Sequence, residues 1–381
     1  MTAQIPPSQS IDQSIANTSR WQFGDYAAAP RLPLIGADAA RPILPGLDLW
    51  DCWPLAHEDG RTVVDRGRRW WFFLSAPALP DPADRHLVAR IRLVSHDAAG
   101  WHDHGPALPD GLNPGLREWA GCAVLADDGA TVTLYYTVGG RRDGPPSFEQ
   151  RLFAVAGRLG AAGIGDWQQP VEVVAADGWR YVCDRQEVAA VAPGTIKGFR
   201  DPAWFRDPAT GKAHILFTAS AAWSDDPHNG VIGMATREGD RWVAGDPLIE
   251  ATGVNNELER PCMVVRDGRY YLFWSTQTHT FADPQRAGPN GLYAMHATAL
   301  AGPWAPVNGN ALVVANPAEE PKQSYSWWVT GEGEVWSFVD YWGMQGRKLA
   351  DHPELLRAQF GGTPAPMFRL TFDGDRVGVV V

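Results

Sequence analysis

The chain has 381 residues, room for two average domains or one large repeat fold. Apolar residues make up 45% and charged residues 20%, which excludes wholesale disorder, and no apolar run approaches the length of a membrane span. With 33 basic and 44 acidic residues the net charge is −11, a balance that argues against non-specific nucleic-acid binding.

Residues 1–20 are polar and read as a mobile N-terminal arm. They lack the basic start and apolar stretch of a standard secretion signal, so the expected location is extracellular by a leaderless route, or cytoplasmic. From residue 21 to 381 no linker or low-complexity break interrupts the pattern, which predicts one domain. Strand signals follow in order at Arg69–Leu74, His86–Val94, Thr131–Val138, His214–Ala219, Tyr270–Ser275 and Met367–Phe372. Asp-Gly pairs at Asp59-Gly60, Asp128-Gly129, Asp267-Gly268 and Asp373-Gly374 punctuate them as hairpin turns. The best helical candidate is a short piece at Pro353–Gln359. With 40 glycines and 31 prolines the chain reads as all-β.

Five polar-aromatic motifs stand beside these strands: Trp50-Asp51-Cys52-Trp53-Pro54, Glu118-Trp119-Ala120-Gly121, Phe199-Arg200-Asp201-Pro202, Glu257-Leu258-Glu259-Arg260-Pro261 and Ser324-Tyr325-Ser326-Trp327-Trp328. From Asp51 to Trp119, Asp201, Glu259 and Tyr325 the gaps are 68, 82, 58 and 66 residues. Five units of that size suit a radial repeat whose inner strands converge on one axis, as in a β-propeller; a large sandwich is the competing architecture. The 18 tryptophans suit sugars, which offer apolar C–H faces to flat rings and hydroxyls to the indole N–H.

Asp51, Asp201 and Glu259 are far apart in sequence, each flanked by aromatic or basic residues. Retaining glycoside hydrolysis needs a carboxylate nucleophile and a carboxylic acid proton donor about 5–5.5 Å apart. In an extended chain Glu257 and Glu259 face the same way, and two adjacent carboxylates disfavour ionising both, so one should hold its proton. The second Phe-Arg-Asp-Pro, at Phe205–Pro208, reads as a plain hairpin. His96, His102 and His104 form a histidine-rich loop with no convincing third ligand, so no metal or cofactor is expected. Cys52, Cys122, Cys183 and Cys262 have no framework spacing and read as free buried thiols.

In order and rough spacing, Trp-Asp-x-Trp-Pro, Glu-Trp-x-Gly, Phe-Arg-Asp-Pro, Glu-x-Glu-Arg and a late Tyr-Ser resemble glycoside hydrolase family 68, the levansucrases, inulosucrases and bacterial β-fructofuranosidases, over nearly the whole chain. The resemblance implies a five-bladed β-propeller with a central funnel-shaped active site that transfers fructose from sucrose with retention to sugars or water. It implies Asp51 as nucleophile, Glu259 as acid/base and Asp201 as transition-state stabiliser. Trp50, Trp119, Arg200, Glu257, Arg260 and Tyr325 would line the sucrose pocket. His279 resembles the acceptor-side histidine of Gram-negative members. Two departures stand out. Ala120 replaces a serine that supports the nucleophile in many members, and Asn256 replaces an aspartate of a structural calcium site. Expected partners are therefore sucrose and fructo-oligosaccharide acceptors, with neither nucleic acid nor membrane. The alternatives are a mainly hydrolytic β-fructofuranosidase and a non-catalytic carbohydrate-binding propeller.

Overall fold

The computed structural model describes residues 18–145, 147–184 and 195–381. Alternating apolar strands joined by tight turns build five antiparallel blades, which we number I to V in chain order. Their innermost strands are Leu47–His57, Arg117–Leu125, Phe199–Arg206, Glu259–Arg266 and Ser324–Val329. Each packs against its two neighbours in the cycle I–II–III–IV–V–I, which makes the all-β chain a five-bladed propeller. Blades I and II are also joined by parallel pairing of Leu55–His57 with Ala123–Leu125. Among the described residues no helix is long and apolar enough to cross a membrane.

Most expected strands form: Arg68–Pro77, Thr131–Gly139, Ala213–Ser220, Arg269–Thr276 and Phe368–Asp373. Asp267 and Gly268 both have positive φ (49° and 74°), the geometry of a two-residue hairpin matched to strand twist. The helical candidate is a single turn, Leu355–Ala358. Three expectations are corrected. The strand expected from His86 starts at Arg90, because Asp81 caps Ala83 N and Pro82 opens a 3-10 turn over Pro82–Leu87. The histidine-rich loop is largely strand, with Gly100–Pro106 paired to Arg90–Asp97. Of the four free cysteines, Cys183 is exposed.

Residues 1–17 of the expected arm lie outside the described residues. Its end is strand: Ser19 and Arg20 pair in parallel with Ile249 and Glu250 of blade III. The chain then crosses blade IV, where Leu32 N donates to the Ala315 carbonyl, and blade V, where Ile35 N meets Gln323 and Ile43 N meets Thr363, before entering blade I.

One irregularity recurs in all five blades. Each innermost strand carries one residue more than its partner, between Trp50 and Trp53, Trp119 and Gly121, Arg200 and Ala203, Glu259 and Cys262, and Tyr325 and Trp328. Such bulges bend a strand and re-aim its side chains. The backbone is left-handed at Asp51 (φ 45°), Asp201 (59°), Arg260 (56°) and Ser326 (60°), a conformation costing about 1–3 kcal/mol per residue and held by the surrounding structure. Arg260, in the blade IV bulge, reaches across to blades I and V. It is 2% exposed, donates from Nη2 to the Cys52 carbonyl at 2.7 Å, and lies over the Trp53 and Trp328 rings.

Candidate active site

The bulges set two rows of side chains at one end of the axis. The first row is Trp50, Trp119, Arg200, Glu259 and Tyr325; the second, one residue on, is Asp51, Ala120, Asp201, Arg260 and Ser326. All but Trp50 line one cavity of about 480 Å³, together with Glu257, Gln277 and His279. Nine of the ten expected site residues therefore meet there. Trp50 is 1% exposed and sits behind the wall, edge-on to the His86 ring at 5.8 Å, with the Arg85 guanidinium 5.3 Å from its ring centre.

Arg200 organises the acidic side chains. Its Nη2 lies 2.9 Å from Glu259 Oε1 and 3.6 Å from Glu257 Oε2, and its Nε lies 3.7 Å from Asp201 Oδ2. The other Glu259 oxygen accepts from the Tyr325 hydroxyl. Asp201 Oδ2 accepts from Arg260 N and Thr218 Oγ1, each at 3.2 Å, while Asp201 N donates to Thr137 Oγ1 of blade II at 2.9 Å. The cavity-facing carboxylates are thus fixed by neighbouring blades as well as by their own.

Four carboxylates, Asp51, Asp201, Glu257 and Glu259, face the guanidiniums of Arg200 and Arg260. Burial pushes the Glu257 carboxyl up to about 7, and Glu259 beside it adds to the rise. It pushes Asp201 up to about 6 against the pull of Arg200 and Arg260. Asp51 is raised by burial, opposed by Arg260 and by the Ser326 hydroxyl. Burial thus favours the protonated form of Glu257, which lies two residues before Glu259 at the start of the blade IV inner strand. Burial lowers the pKa of His279 and keeps its ring neutral at pH 7.

The sequence reading missed the opposite wall. Ala83, Asp84, His86 and Leu87 all come from the Pro82–Leu87 turn, and the His86 carbonyl accepts from Trp119 Nε1 at 3.2 Å. The Asp81-Pro82 pair was the available signal, a cap residue before a proline. Ser326 was quoted within its motif but given no role; the bulge row identifies it. Glu118 turns away from the cavity and binds Arg90 Nε and Ile91 N. In the second Phe-Arg-Asp-Pro, Asp207 binds Thr210, Ala209 N and the Tyr270 hydroxyl, as a hairpin residue.

Among the described residues no group of three or more His, Cys, Asp or Glu could hold a metal ion. His102 pairs with Asp97, His104 with Ser95, and His96 packs on Trp101. Asn256 Oδ1 accepts from the Lys197 ammonium at 3.0 Å.

The Levansucrase/Invertase family matches residues 8–230 and 225–381. A levansucrase of Pseudomonas savastanoi pv. glycinea is 31% identical over 392 residues, covering 90% of this chain and 85% of its own. The extracellular sucrase of Zymomonas mobilis is 29% identical, over 94% of this chain and 92% of its own. An inulosucrase from Halalkalicoccus jeotgali, solved bound to kestose, matches with a TM-score of 0.83 at 36% identity over 95% of each chain. The levansucrase of Gluconacetobacter diazotrophicus, 23% identical, shares the fold at a TM-score of 0.78 over 98% of this chain and 91% of its own. A five-bladed propeller whose acidic residues converge on one cavity, matched over almost its entire length, places this chain in the Levansucrase/Invertase family, glycoside hydrolase family 68.

Proposed function

We propose that the protein cleaves sucrose as a retaining fructosyltransferase and passes the fructosyl group to sugar hydroxyls or to water. The observation that carries this reading is the convergence of Asp51, Asp201 and Glu259, from three blades, on one cavity with Arg200 reaching two of them. In the first step the Asp51 carboxylate attacks the anomeric carbon of fructose. The bond to the glucosyl oxygen breaks as Glu259 gives that oxygen its proton, and glucose leaves. In the second step Glu259 takes a proton from the incoming hydroxyl, which displaces Asp51 and restores the original configuration. Asp201 accepts hydrogen bonds from fructosyl hydroxyls and stabilises the positive charge that develops on the ring. The sucrase, levansucrase and kestose-bound inulosucrase among its relatives support sucrose as donor and fructo-oligosaccharides as acceptors.

Transfer competes with water at roughly 55 M, so it requires an acceptor held in attack geometry. The groups present for this are His279, Gln277 and the mouth of the cavity around Leu87 and Phe148. Incubation with sucrose, with free glucose and free fructose measured separately, tests the reading. Glucose release with less fructose than glucose is expected. Asp51→Asn and Glu259→Gln should each lower glucose release by about 10³-fold or more, the scale of loss when a catalytic group acting in a unit is removed. Absence of glucose release by the unaltered protein would leave a carbohydrate-binding propeller instead.

A further inference from the structure

We infer that Lys197 is a positioning residue whose ammonium group fixes the cavity wall between blades III and IV, and with it the share of fructosyl groups that reach sugar acceptors. The three N–H bonds of an ammonium match three oxygens here: the Pro227 carbonyl at 2.5 Å, Asn229 Oδ1 at 2.6 Å and Asn256 Oδ1 at 3.0 Å. The acceptors come from two segments, the loop of Pro227 and Asn229 and the segment of Asn256, and both asparagines are themselves tied down. Asn229 Nδ2 donates to the Ala221 carbonyl at 2.8 Å, and Asn256 Nδ2 reaches back to the Ile196 carbonyl at 3.2 Å.

The segment carrying Lys197 is held equally firmly from the other side. Gln150 of blade II donates from Nε2 to the Lys197 carbonyl at 3.0 Å and accepts at Oε1 from Phe199 N at 2.9 Å. The lysine thus joins the start of the Arg200–Asp201 strand to Asn256, the residue before Glu257. Asn256 N in turn donates to the Thr280 carbonyl, and the Asn255 side chain accepts from Glu257 N at 2.7 Å and Thr276 Oγ1 at 3.0 Å. The Thr278–Thr280 turn presents His279 to the cavity, and Ile196 lines it directly. One half-buried cation therefore sets the relative placement of Ile196, Glu257 and His279. It touches none of the reacting atoms. Asp184, Asp226 and Glu257 are the carboxylates around it.

The chemistry separates lysine from its usual substitute. A planar guanidinium cannot direct donors to three oxygens arranged about one compact point, so arginine is no replacement here. Loss of the ammonium leaves three oxygens without their shared donor and frees the wall, while Asp51 and its surroundings in blades I and V keep their own bonds.

The inference rests on the sucrose reading for its kinetic test and on thermal unfolding for a test that does not need it. In Lys197→Ala and Lys197→Met we expect the KM for sucrose to rise about tenfold, kcat for glucose release to fall less than about threefold, and the transferred share to drop, a loss of positioning and not of chemistry. Lys197→Arg should resemble them. Methylammonium, which can re-enter the oxygen cage of Lys197→Ala, should restore transfer and raise its Tm, whereas tetramethylammonium, which has no N–H, should do neither. The unaltered enzyme should respond to neither salt. If the variants keep KM and product ratio, or if both amines act alike on Tm, the positioning role is overturned. An unaltered protein inert toward sucrose would refute the functional reading while the amine dependence of Tm still decided this one.

Discussion

The roles proposed for Asp201 and Asp51 require anions, yet both sit where burial favours their neutral forms, and that conflict sets the acid side of the expected pH profile. Asp201 is held up to about 6. Glucose release in terms of kcat/KM should therefore fall as pH drops through about 6; an acid limb near pH 4 instead would mean that Arg200 and Arg260 dominate over burial. Glu257 has a different signature. Its folded-state value of about 7 lies above the ordinary 4.5, so the folded state favours its proton. The stability this provides is complete below about 4.5 and is lost as pH rises through about 7. In Glu257→Gln that loss disappears, so the Tm of the variant should gain on that of the parent between pH 5 and pH 8; the reverse trend would show Glu257 to be stabilised as a carboxylate by Arg200. His279 belongs at this scale too. Its neutral ring can orient a hydroxyl, and His279→Ala should raise free fructose relative to glucose while glucose release changes little. Equal loss of both would place His279 on the sucrose-cleaving side. Asp51, Asp201 and Glu259 were legible in the sequence because a carboxylate between tryptophans or beside an arginine is unusual. Ser326 and His86 were not, since a serine and a histidine acquire meaning only from the bulge and the turn that aim them into the cavity.

The bulge is the element on which the site is built, and spacing alone blurred it. The gaps measured from Asp51 through Trp119, Asp201 and Glu259 to Tyr325 mix two structural rows, because Asp51 and Asp201 occupy the extra position while Trp119, Glu259 and Tyr325 precede it. A slip of one residue in a strand reverses the face of a side chain, yet among bulges it exchanges one cavity-lining row for the next. The strands themselves were legible from alternation and Asp-Gly turns; the Pro82–Leu87 turn was hidden because Leu87, Val88 and Ile91 continue an apolar pattern across it. Blade II tests how tightly the bulge is made. A Cβ on Gly121 would lie 1.9 Å from the Tyr135 carbonyl oxygen and 2.7 Å from Tyr136 Cα, both backbone and unable to yield. Gly121→Ala should cost at least about 1–3 kcal/mol, the range for overpacking, and reduce activity by displacing Trp119 and Ala120. Unchanged denaturant unfolding and unchanged kinetics would show that the strand can open there without consequence.

At the scale of the molecule the propeller must close its ring, and here the N-terminal segment does what its polar composition concealed. Blades V and I meet through their inner strands and through Arg357, which binds Asp48 Oδ2 at 2.7 Å and so ties the single helical turn to blade I. Residues 18–45 contact blades III, IV and V in turn, so one covalent segment spans the two seams between them before the first blade begins. Trp21 anchors that belt. It is 1% exposed and meets Trp274, Phe281 and Tyr293 edge-on at 5.1, 5.5 and 5.3 Å, inside the core shared by blades III and IV. Truncating a buried tryptophan costs about 3–5 kcal/mol. Because Trp21 precedes all five blades in sequence, Trp21→Ala removes a clasp and leaves every blade sequence intact. The expected result is a marked fall in Tm and faster proteolysis near residues 18–45, with kinetic constants for sucrose unchanged at temperatures where the variant is folded. If Trp21→Ala instead alters KM or the product ratio while Tm holds, the belt is coupled to the cavity through blade IV, where Phe281 directly follows the turn that carries His279.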